Sequence, residues 1–244
     1  MRHLRFYTPI KLQLGGSYQI PDDKARHIVQ VLRLGVGDEF VLFNGDGKEY
    51  SAKLIEVTKK TARVSILSIE TINRESNLQV HLIQGLSKSD RMDATIQKCV
   101  ELGVNLIYPV NTSRSNLKIN ESRMAKKHAH WRGIVNAACE QSGRNVIPQL
   151  HRSNQFESVI NEYATYSGLK LILHPVKGKT LFELSESPQN IVLLVGPEGG
   201  FSDIEVQIAE QSGFQHLSLG PRVLRTETAA MAAIAGIQAK WGDL

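Results

Sequence analysis

Hydrophobic positions in the second part of the chain alternate between short apolar runs and segments with helical periodicity. The runs are LQVHLIQG (78–85), NLIYPV (105–110), LKLILHP (169–175), 191–195 and 216–219. Helix-forming sequence follows the first, fourth and fifth runs directly, a polar loop separates the second from its helix, and the third run leads on to the fourth. Buried parallel strands have this pattern, and strands that alternate with helices form α/β domains. The pattern alone therefore predicts an ordinary doubly wound α/β domain with a largely parallel sheet, since threaded chains are rare.

Residues 4–70 follow a different pattern, which predicts a small β-rich domain with one helix. The helix is expected after Pro21, with Asp22 or Asp23 as its cap, and Gly35 is expected to end it. Strand-like runs follow at 39–43, 48–57 and 61–69. The segment 71–77 is polar and lacks periodicity, so we place the domain boundary there and expect domains at 1–72 and 73–244.

Two apolar runs near the carboxyl end each stop at a Gly-Pro step. The first leads into Gly-Pro-Glu-Gly-Gly (196–200) and the second into Gly-Pro-Arg-Val-Leu-Arg (220–225). Ligands bind beyond the carboxyl ends of parallel strands, so both loops are candidate ligand sites. Neither the Walker nor the dinucleotide spacing of glycines is present, which favours a nucleoside without phosphates.

Both loops are followed by a predicted helix start. Ser202 and Glu205 have the spacing of a capping box, and Thr226 is expected to cap a last, alanine-rich helix that ends near Trp241.

Composition narrows the class of protein without identifying it. The 244 residues carry a formal net charge of +5, which favours a polyanionic partner but does not require one. Two cysteines and eight histidines without metal-ligand spacing argue against a disulfide framework and predict no metal. No stretch is apolar enough for a membrane span or a secretion signal, so a cytoplasmic location is expected.

The two loop segments, LVGPEGGFS and LGPRVLRTETAA, resemble the signature of the SPOUT superfamily of S-adenosylmethionine-dependent RNA methyltransferases. Within it, the chain is similar to the bacterial family that methylates N3 of a uridine in 16S ribosomal RNA. Further matches are RHIVQVLRLGVGDEFVLFNGDG, IQKCVELGV, AACEQSGR and LHP. The resemblance implies a carboxyl-terminal domain tied in a trefoil knot, an amino-terminal PUA-like β-barrel that binds RNA, and a homodimer.

The resemblance also implies a cofactor pocket with three walls. They would be formed by 173–175, by the first loop and by 217–224, with adenine held by backbone groups. The implied cofactor-binding residues are Leu173, His174, Pro175, Gly196, Pro197, Gly199, Gly200, Leu217, Leu219, Gly220, Val223, Leu224 and Arg225.

Methylation at N3 requires loss of the N3 proton, after which negative charge spreads onto the flanking carbonyl oxygens. Arg225, beside the start of the last helix, is the candidate that stabilises this charge. Glu198 and Glu227 are candidates for orienting Arg225 or the base, or for accepting the proton. Each of the three residues also has a structural explanation. Arg225 could be a salt-bridge partner, Glu198 a turn residue and Glu227 a favourable acid in the first turn of the helix.

Basic residues in both domains are candidate RNA contacts, although scattered surface charge explains each of them almost as well. The candidates are Arg5, Lys24, Arg26, Arg33, Lys88, Arg91, Arg114 and Arg144. The expected substrate is 16S ribosomal RNA, free or within the assembled small subunit, with the target uridine unpaired before reaction. Two alternatives stay open: a non-catalytic RNA-binding or ribosome-assembly factor, and a methyltransferase for a ribose 2'-hydroxyl or another base position.

Overall fold

The computed structural model describes residues 4–58, 61–115, 120–174 and 178–244. Contacts divide the chain into two compact units. The barrel unit contains the described residues up to Glu75 together with Cys139–Ile147, and the knotted unit contains Ser76–Ala138 and Pro148–Leu244.

The barrel unit is built on five strands in the order β1-β3-β4-β5-β2. Irregular register in the β4–β5 pair, next to Ser51 and Leu54, bends these long strands. All five strands and the helix contribute to one apolar core, which includes Phe6, Ile28 and Phe40. The elements are β1 (Arg5–Tyr7), β2 (Ser17–Gln19), α1 (Asp22–Arg26), β3 (Glu39–Phe43), β4 (Lys48–Val57) and β5 (Ala62–Thr71).

The predicted helix of the barrel unit is present but changes its winding. α1 begins at Asp22 and continues as a π-helical turn over His27–Val31. It ends before Gly35, because Arg33 adopts a left-handed backbone with φ of 57°. Ile28 is fully buried and packs in the core, whereas Val31 at the end of the π-helical turn is exposed.

The knotted unit has a seven-stranded parallel sheet in the order β12-β10-β11-β6-β7-β8, with β9 paired to β7. α4 and α5 pack on a core with Ile83, Val192 and Leu194. The strands are β6 (Gln79–Gly85), β7 (Leu106–Asn111), β8 (Gln149–Leu150), β9 (Asn154–Gln155), β10 (Leu169–Leu173), β11 (Asn190–Val195) and β12 (Gln215–Leu217). The helices are α2 (Ser89–Glu101), α3 (Glu121–Ser142), which extends into the barrel unit, α4 (Phe156–Ala164), α5 (Asp203–Gln211) and α6 (Thr226–Trp241).

The ordinary doubly wound sheet that the hydrophobic pattern alone predicts is wrong, because the chain is threaded. Leu217 pairs with Leu173 on one side of β12 and with Lys179 on the other. The connection from β10 to β11 therefore passes outside β12 before it returns to the far side of β10. α6 contacts both β11 and the turn Leu181–Glu183, so the carboxyl-terminal segment lies inside this connection. This is the trefoil knot that the family resemblance implies.

Candidate active site

The carboxyl ends of β10, β11 and β12 meet at one edge of the sheet, as the register of the three strands requires. They border a cavity of about 580 Å³. The threading thus brings together three segments that are more than 40 residues apart from first to last. The cavity is lined by Arg91, Arg114, Leu173, His174, Val195, Gly196, Pro197, Glu198, Gly199, Gly200, Phe201, Asp203, Val206, Leu217, Leu219, Gly220, Arg222, Val223, Leu224, Arg225, Thr226 and Ala229.

Every predicted cofactor-binding residue that the structure describes lies on this cavity. Pro175 is outside the described residues. Residues that the sequence analysis did not assign to the pocket also line it, among them Phe201, Asp203, Val206 and Ala229. Most directly follow or flank the two predicted loops, so a wider reading of the same strand-end rule would have included them.

The glycine loop (residues 196–200) lies against the end of β6. A Cβ atom on Gly85 would come within 2.5 Å of Pro197 Cδ, so only glycine permits this approach. The loop turns at Gly200, whose φ is +68°. Gly200 N donates to Pro197 O at 2.9 Å, which closes the turn.

Thr226 connects the glycine loop to α6. Its hydroxyl donates to Gly196 O at 2.6 Å and accepts from Gln84 Nε2 at 3.0 Å. The prediction that Thr226 caps α6 is wrong: Arg225 is the N-cap residue, with extended backbone and no capping side-chain bond, and Thr226 is the first helical residue. Its hydroxyl donates to the carbonyl of Gly196, which follows β11, and accepts no bond from an N–H of the described helix.

Glu198 is held by groups at the start of α2. Its Oε1 accepts from Lys88 N at 3.0 Å and forms an ion pair with Arg91 Nη1 at 3.2 Å. Glu198 therefore pairs with Arg91 among the described residues, and not with Arg225, which it was a candidate to orient. Its other oxygen, Oε2, is buried and has no hydrogen-bond partner among the described residues.

Glu227 occupies the first turn of α6 and is not a lining residue of the cavity. Its Oε2 is also buried without a partner in the part of the chain that the structure describes. A first-turn acid is favourable next to the helix N-terminus, so the position has a sufficient structural explanation.

Four arginines surround the cavity, and we call them the rim arginines: Arg91, Arg114, Arg222 and Arg225. Arg222 and Arg225 are exposed, and the guanidinium of neither is hydrogen-bonded or ion-paired to another described residue. Arg114 Nη1 donates to Gly199 O at 3.1 Å. With only Glu198 and Asp203 as lining acids, the cavity has an excess of positive charge.

Two of the predicted RNA contacts, Arg5 and Arg144, are instead enclosed within the barrel unit. Arg144 is 4% exposed and forms an ion pair with Glu75. Arg5 pairs with Glu49 and donates to Asn145 Oδ1 at 2.6 Å. We call these two residues the barrel arginines. Their guanidinium groups fix the segment that follows α3.

The remaining predicted RNA contacts differ in exposure. Lys24 pairs with Glu140 at 2.5 Å and is half-buried. Arg26 and Arg33 are exposed on and after α1, and Lys88 is exposed before α2. Arg26 Nε donates to Asp22 O at 3.3 Å. These exposed residues fit an RNA-contacting role better than Arg5 or Arg144 does.

Titration is perturbed mainly by burial. Glu49 is an exception in direction: burial raises its pKa, but hydrogen bonds from Arg74 and Arg5 outweigh this and leave the pKa lowered. Burial raises the pKa of Cys139 to about 12, so this thiol is unreactive at neutral pH. Among the described residues, no group of three His, Cys, Asp or Glu side chains could hold a metal ion, and no helix is long and apolar enough to cross a membrane.

Comparison with protein families finds two domain matches. A family model described as "RNA methyltransferase domain" matches residues 74–238, and one described as "RNA methyltransferase PUA domain" matches residues 20–67. The ribosomal RNA small subunit methyltransferase E of Buchnera aphidicola (subsp. Schizaphis graminum) is 36% identical over 98% of this chain and 97% of that protein. The Bacillus subtilis protein of the same name is 29% identical over 94% and 93%.

Solved structures give the same likeness. A methyltransferase of Legionella pneumophila, solved with bound S-adenosylmethionine, is 44% identical and covers 100% of both chains with a TM-score of 0.96. The ribosomal RNA small subunit methyltransferase E of Neisseria gonorrhoeae, also bound to S-adenosylmethionine, is 41% identical over 99% of both chains with a TM-score of 0.92.

Proposed function

The chain belongs to the RNA methyltransferase family, and from this membership we propose that it transfers the methyl group of S-adenosylmethionine to N3 of a specific uridine in 16S ribosomal RNA. The observation that carries the proposal is the cavity at the threaded edge of the sheet, lined by both signature loops. Support comes from relatives named as small-subunit ribosomal RNA methyltransferases and from two neighbours of known structure that contain S-adenosylmethionine.

The residues of the cavity fit this cofactor. A volume of about 580 Å³ is in the range of pockets for ligands of this size. Leu173, Leu217, Leu219 and Val223 offer aliphatic contacts for an adenine ring, and the loops offer backbone hydrogen-bonding groups at the same place. The glycine loop allows close backbone approach to a ligand. When bound, the cofactor supplies a methyl group that is already activated by a sulfonium.

Arg225 is proposed to stabilise the uracil anion from which N3 attacks the methyl group. Loss of the N3 proton leaves negative charge on the carbonyl oxygens next to N3, and this charge is consumed when N3 takes the methyl group, whose bond to the sulfonium sulfur would break in the same transfer. The guanidinium of the N-cap residue of α6, which has no ion-pair partner in the described part of the chain, is suited to that charge. The structure places Arg225 on the cavity and exposed, so its charge is available to a substrate.

Glu198 is proposed as the acceptor of the N3 proton. It lines the cavity, whereas Glu227 does not. Arg91 and Lys88 N hold its Oε1, which leaves the buried Oε2 as the oxygen that can receive a proton. A base that is fixed through one oxygen can present the other in a defined position.

The barrel, assigned to residues 1–72, is proposed to bind RNA through exposed residues such as Arg26 and Arg33, and residues 73–244 to bind cofactor and catalyse. N3 lies on the pairing edge of uracil, so the target base must leave its helix before reaction. We further propose a homodimer whose contact includes α6, and an assembled small subunit as the substrate. A cytoplasmic location follows from that substrate.

Mass mapping of RNA from a strain that lacks the protein tests the function. Loss of one base-linked methyl at a uridine N3, restored by the purified enzyme and S-adenosylmethionine, is the expected result. Loss of a ribose methyl, or an unchanged methylation map, contradicts the proposal and favours one of the two alternatives.

Calorimetry tests the cavity separately. The wild-type protein should bind S-adenosylmethionine, and Gly199→Val should not. A Cβ atom on Gly199 would already lie 3.2 Å from Arg114 Cβ, so the larger side chain must displace this wall. Gly133→Ala, in α3 with no atom within 4 Å of the added Cβ, is the matched control and should bind normally. Retained binding by Gly199→Val would place the cofactor elsewhere.

A further inference from the structure

Glu205 is a buried carboxylate that makes more contacts than a helix cap requires. It is 7% exposed, is not a lining residue of the cavity, and occupies the third position of α5. As a member of the capping box, its Oε2 accepts from Ser202 N at 2.8 Å and from Ser202 Oγ at 3.0 Å. These bonds alone satisfy the start of the helix.

The additional bonds of Glu205 reach a different segment of the chain. Its Oε1 accepts from Ser113 N at 2.7 Å, and its Oε2 accepts from Ser113 Oγ at 3.0 Å. Ser113 follows the end of β7, 92 residues earlier in the sequence. One carboxylate therefore binds the start of α5 and the turn after β7 together, and a buried carboxylate with this many donors is held strongly.

The residue after Ser113 is Arg114, which crosses the glycine loop. Arg114 Nη1 donates to Gly199 O at 3.1 Å, and the arginine lines the cavity while its side chain stays exposed. The turn that carries it is closed further by Ser115 N donating to Thr112 O at 3.1 Å. Glu205 thus fixes the backbone from which Arg114 extends.

We propose that Glu205 is a positioning residue: through Ser113 it places the Arg114 guanidinium at the cavity mouth, where its charge meets the RNA backbone. The contact of Arg114 with the RNA backbone rests on the proposed function, because it requires an RNA substrate. The placement of Arg114 by Glu205 does not depend on the substrate.

The chain offers two matched controls for Glu205→Gln. Glu183 has the same role in a second capping box, where its Oε2 accepts from Thr180 N at 2.7 Å and from Thr180 Oγ1 at 2.8 Å. Glu183→Gln therefore removes a capping carboxylate without touching Ser113. Ser202→Ala removes only the hydroxyl of the α5 cap and leaves both bonds from Ser113 to Glu205.

The first measurement is amide hydrogen exchange of the segment 112–115 in the full-length protein. Glu205→Gln should accelerate exchange of the Ser113 backbone N–H. The glutamine side chain has only one acceptor oxygen, so it cannot accept from all the donors that bind the carboxylate in the wild type. Ser202→Ala and Glu183→Gln should leave it at the wild-type rate. Equal acceleration in Ser202→Ala would show that the cap alone orders the turn, which overturns the proposal.

The second measurement is steady-state methyl transfer to small subunits from a strain that lacks the enzyme, below the melting temperature of each variant. Glu205→Gln should raise KM for the subunit about tenfold, the size expected for one charge-assisted hydrogen bond, and change kcat less than about twofold. In an Arg114→Ala background it should have no further effect on KM. Full additivity would contradict a role through Arg114.

The two measurements separate the inference from the function on which it rests. A wild-type enzyme that transfers no methyl group contradicts the proposed function. The exchange rates then still decide whether Glu205 holds Ser113.

Discussion

The barrel arginines and the rim arginines are the same residue type in two different states. Arg5 and Arg144 are enclosed by Glu49, Glu75 and Asn145 within the barrel unit. The rim arginines border a cavity, and the guanidinium groups of two of them, Arg222 and Arg225, have neither a hydrogen bond nor an ion pair among the described residues. The difference shows that two groups of basic residues must be distinguished. Those paired inside the barrel unit stabilise the fold, and those exposed at the cavity keep a charge that can contact a substrate.

The largest expected effect is on the barrel side of this comparison. Arg144→Ala removes the buried partner of the half-buried Glu75, and breaking a largely enclosed pair costs up to about 3–5 kcal/mol of unfolding free energy. Chemical denaturation measures the loss. Arg222→Ala, which removes an exposed arginine, should change stability by less than about 0.5 kcal/mol. Similar values for the two variants would remove the distinction between the two groups.

The next largest effect is on the cavity side. Arg225→Ala should reduce kcat by roughly 100- to 1000-fold if the guanidinium stabilises charge that develops in the transition state. Calorimetry should find the affinity for S-adenosylmethionine changed by less than about threefold. Arg222→Ala is the matched variant in the same loop and should retain most activity. An equal loss of kcat and cofactor affinity in Arg225→Ala would reassign this residue to cofactor binding.

A smaller effect is expected at Thr226, the residue that follows Arg225. Thr226→Val keeps the shape of the side chain but removes bonds to Gly196 O and Gln84 Nε2, which should cost about 1–3 kcal/mol of unfolding free energy. Thr228→Val, at an exposed position of the same helix, should be nearly neutral. Thermal or chemical unfolding measures the stability of the two variants. Equal free energies of unfolding would mean that the bonds of the buried Thr226 hydroxyl do not stabilise the fold.

The smallest effect concerns pH and the barrel. The pKa of Glu49 is lower in the folded protein than its usual 4.5, because bonds from Arg74 and Arg5 outweigh burial. Its contribution is therefore complete above about pH 4.5 and is lost as the pH falls through the folded-state pKa. The free energy of unfolding of wild type should fall more steeply below pH 4.5 than that of Glu49→Gln. Parallel pH profiles would show that Arg74 and Arg5 do not stabilise this carboxylate.

The sequence predicted the parts of the fold that depend on local pattern. Continuous apolar runs identified β6, β10 and β11, and the spacing of Ser202 and Glu205 identified the capping box of α5, which the structure contains. The threading could not be obtained from periodicity, because it depends on which side of β12 the Lys179 segment passes. Only the family resemblance supplied it.

The state of individual side chains was harder to predict than their position. Arg144 resembles a surface cation in sequence, yet its partner Glu75 is 69 residues away. The hydroxyl of Thr226 has the local context of a helix cap, yet its acceptor, Gly196 O, lies 30 residues earlier. Long-range partners decide both cases, and a single sequence does not contain them in readable form.

The enclosed path of the carboxyl-terminal segment also matters for how the cell removes this protein. An ATP-driven protease that pulls on the chain beyond α6 draws this helix against the surrounding connection, where Lys240 Nζ donates to Leu181 O and Leu184 O. Tension on this segment should tighten the connection from β10 to β11 around it before the segment can slide out. Degradation from the opposite end first unravels the barrel and meets the entangled region last.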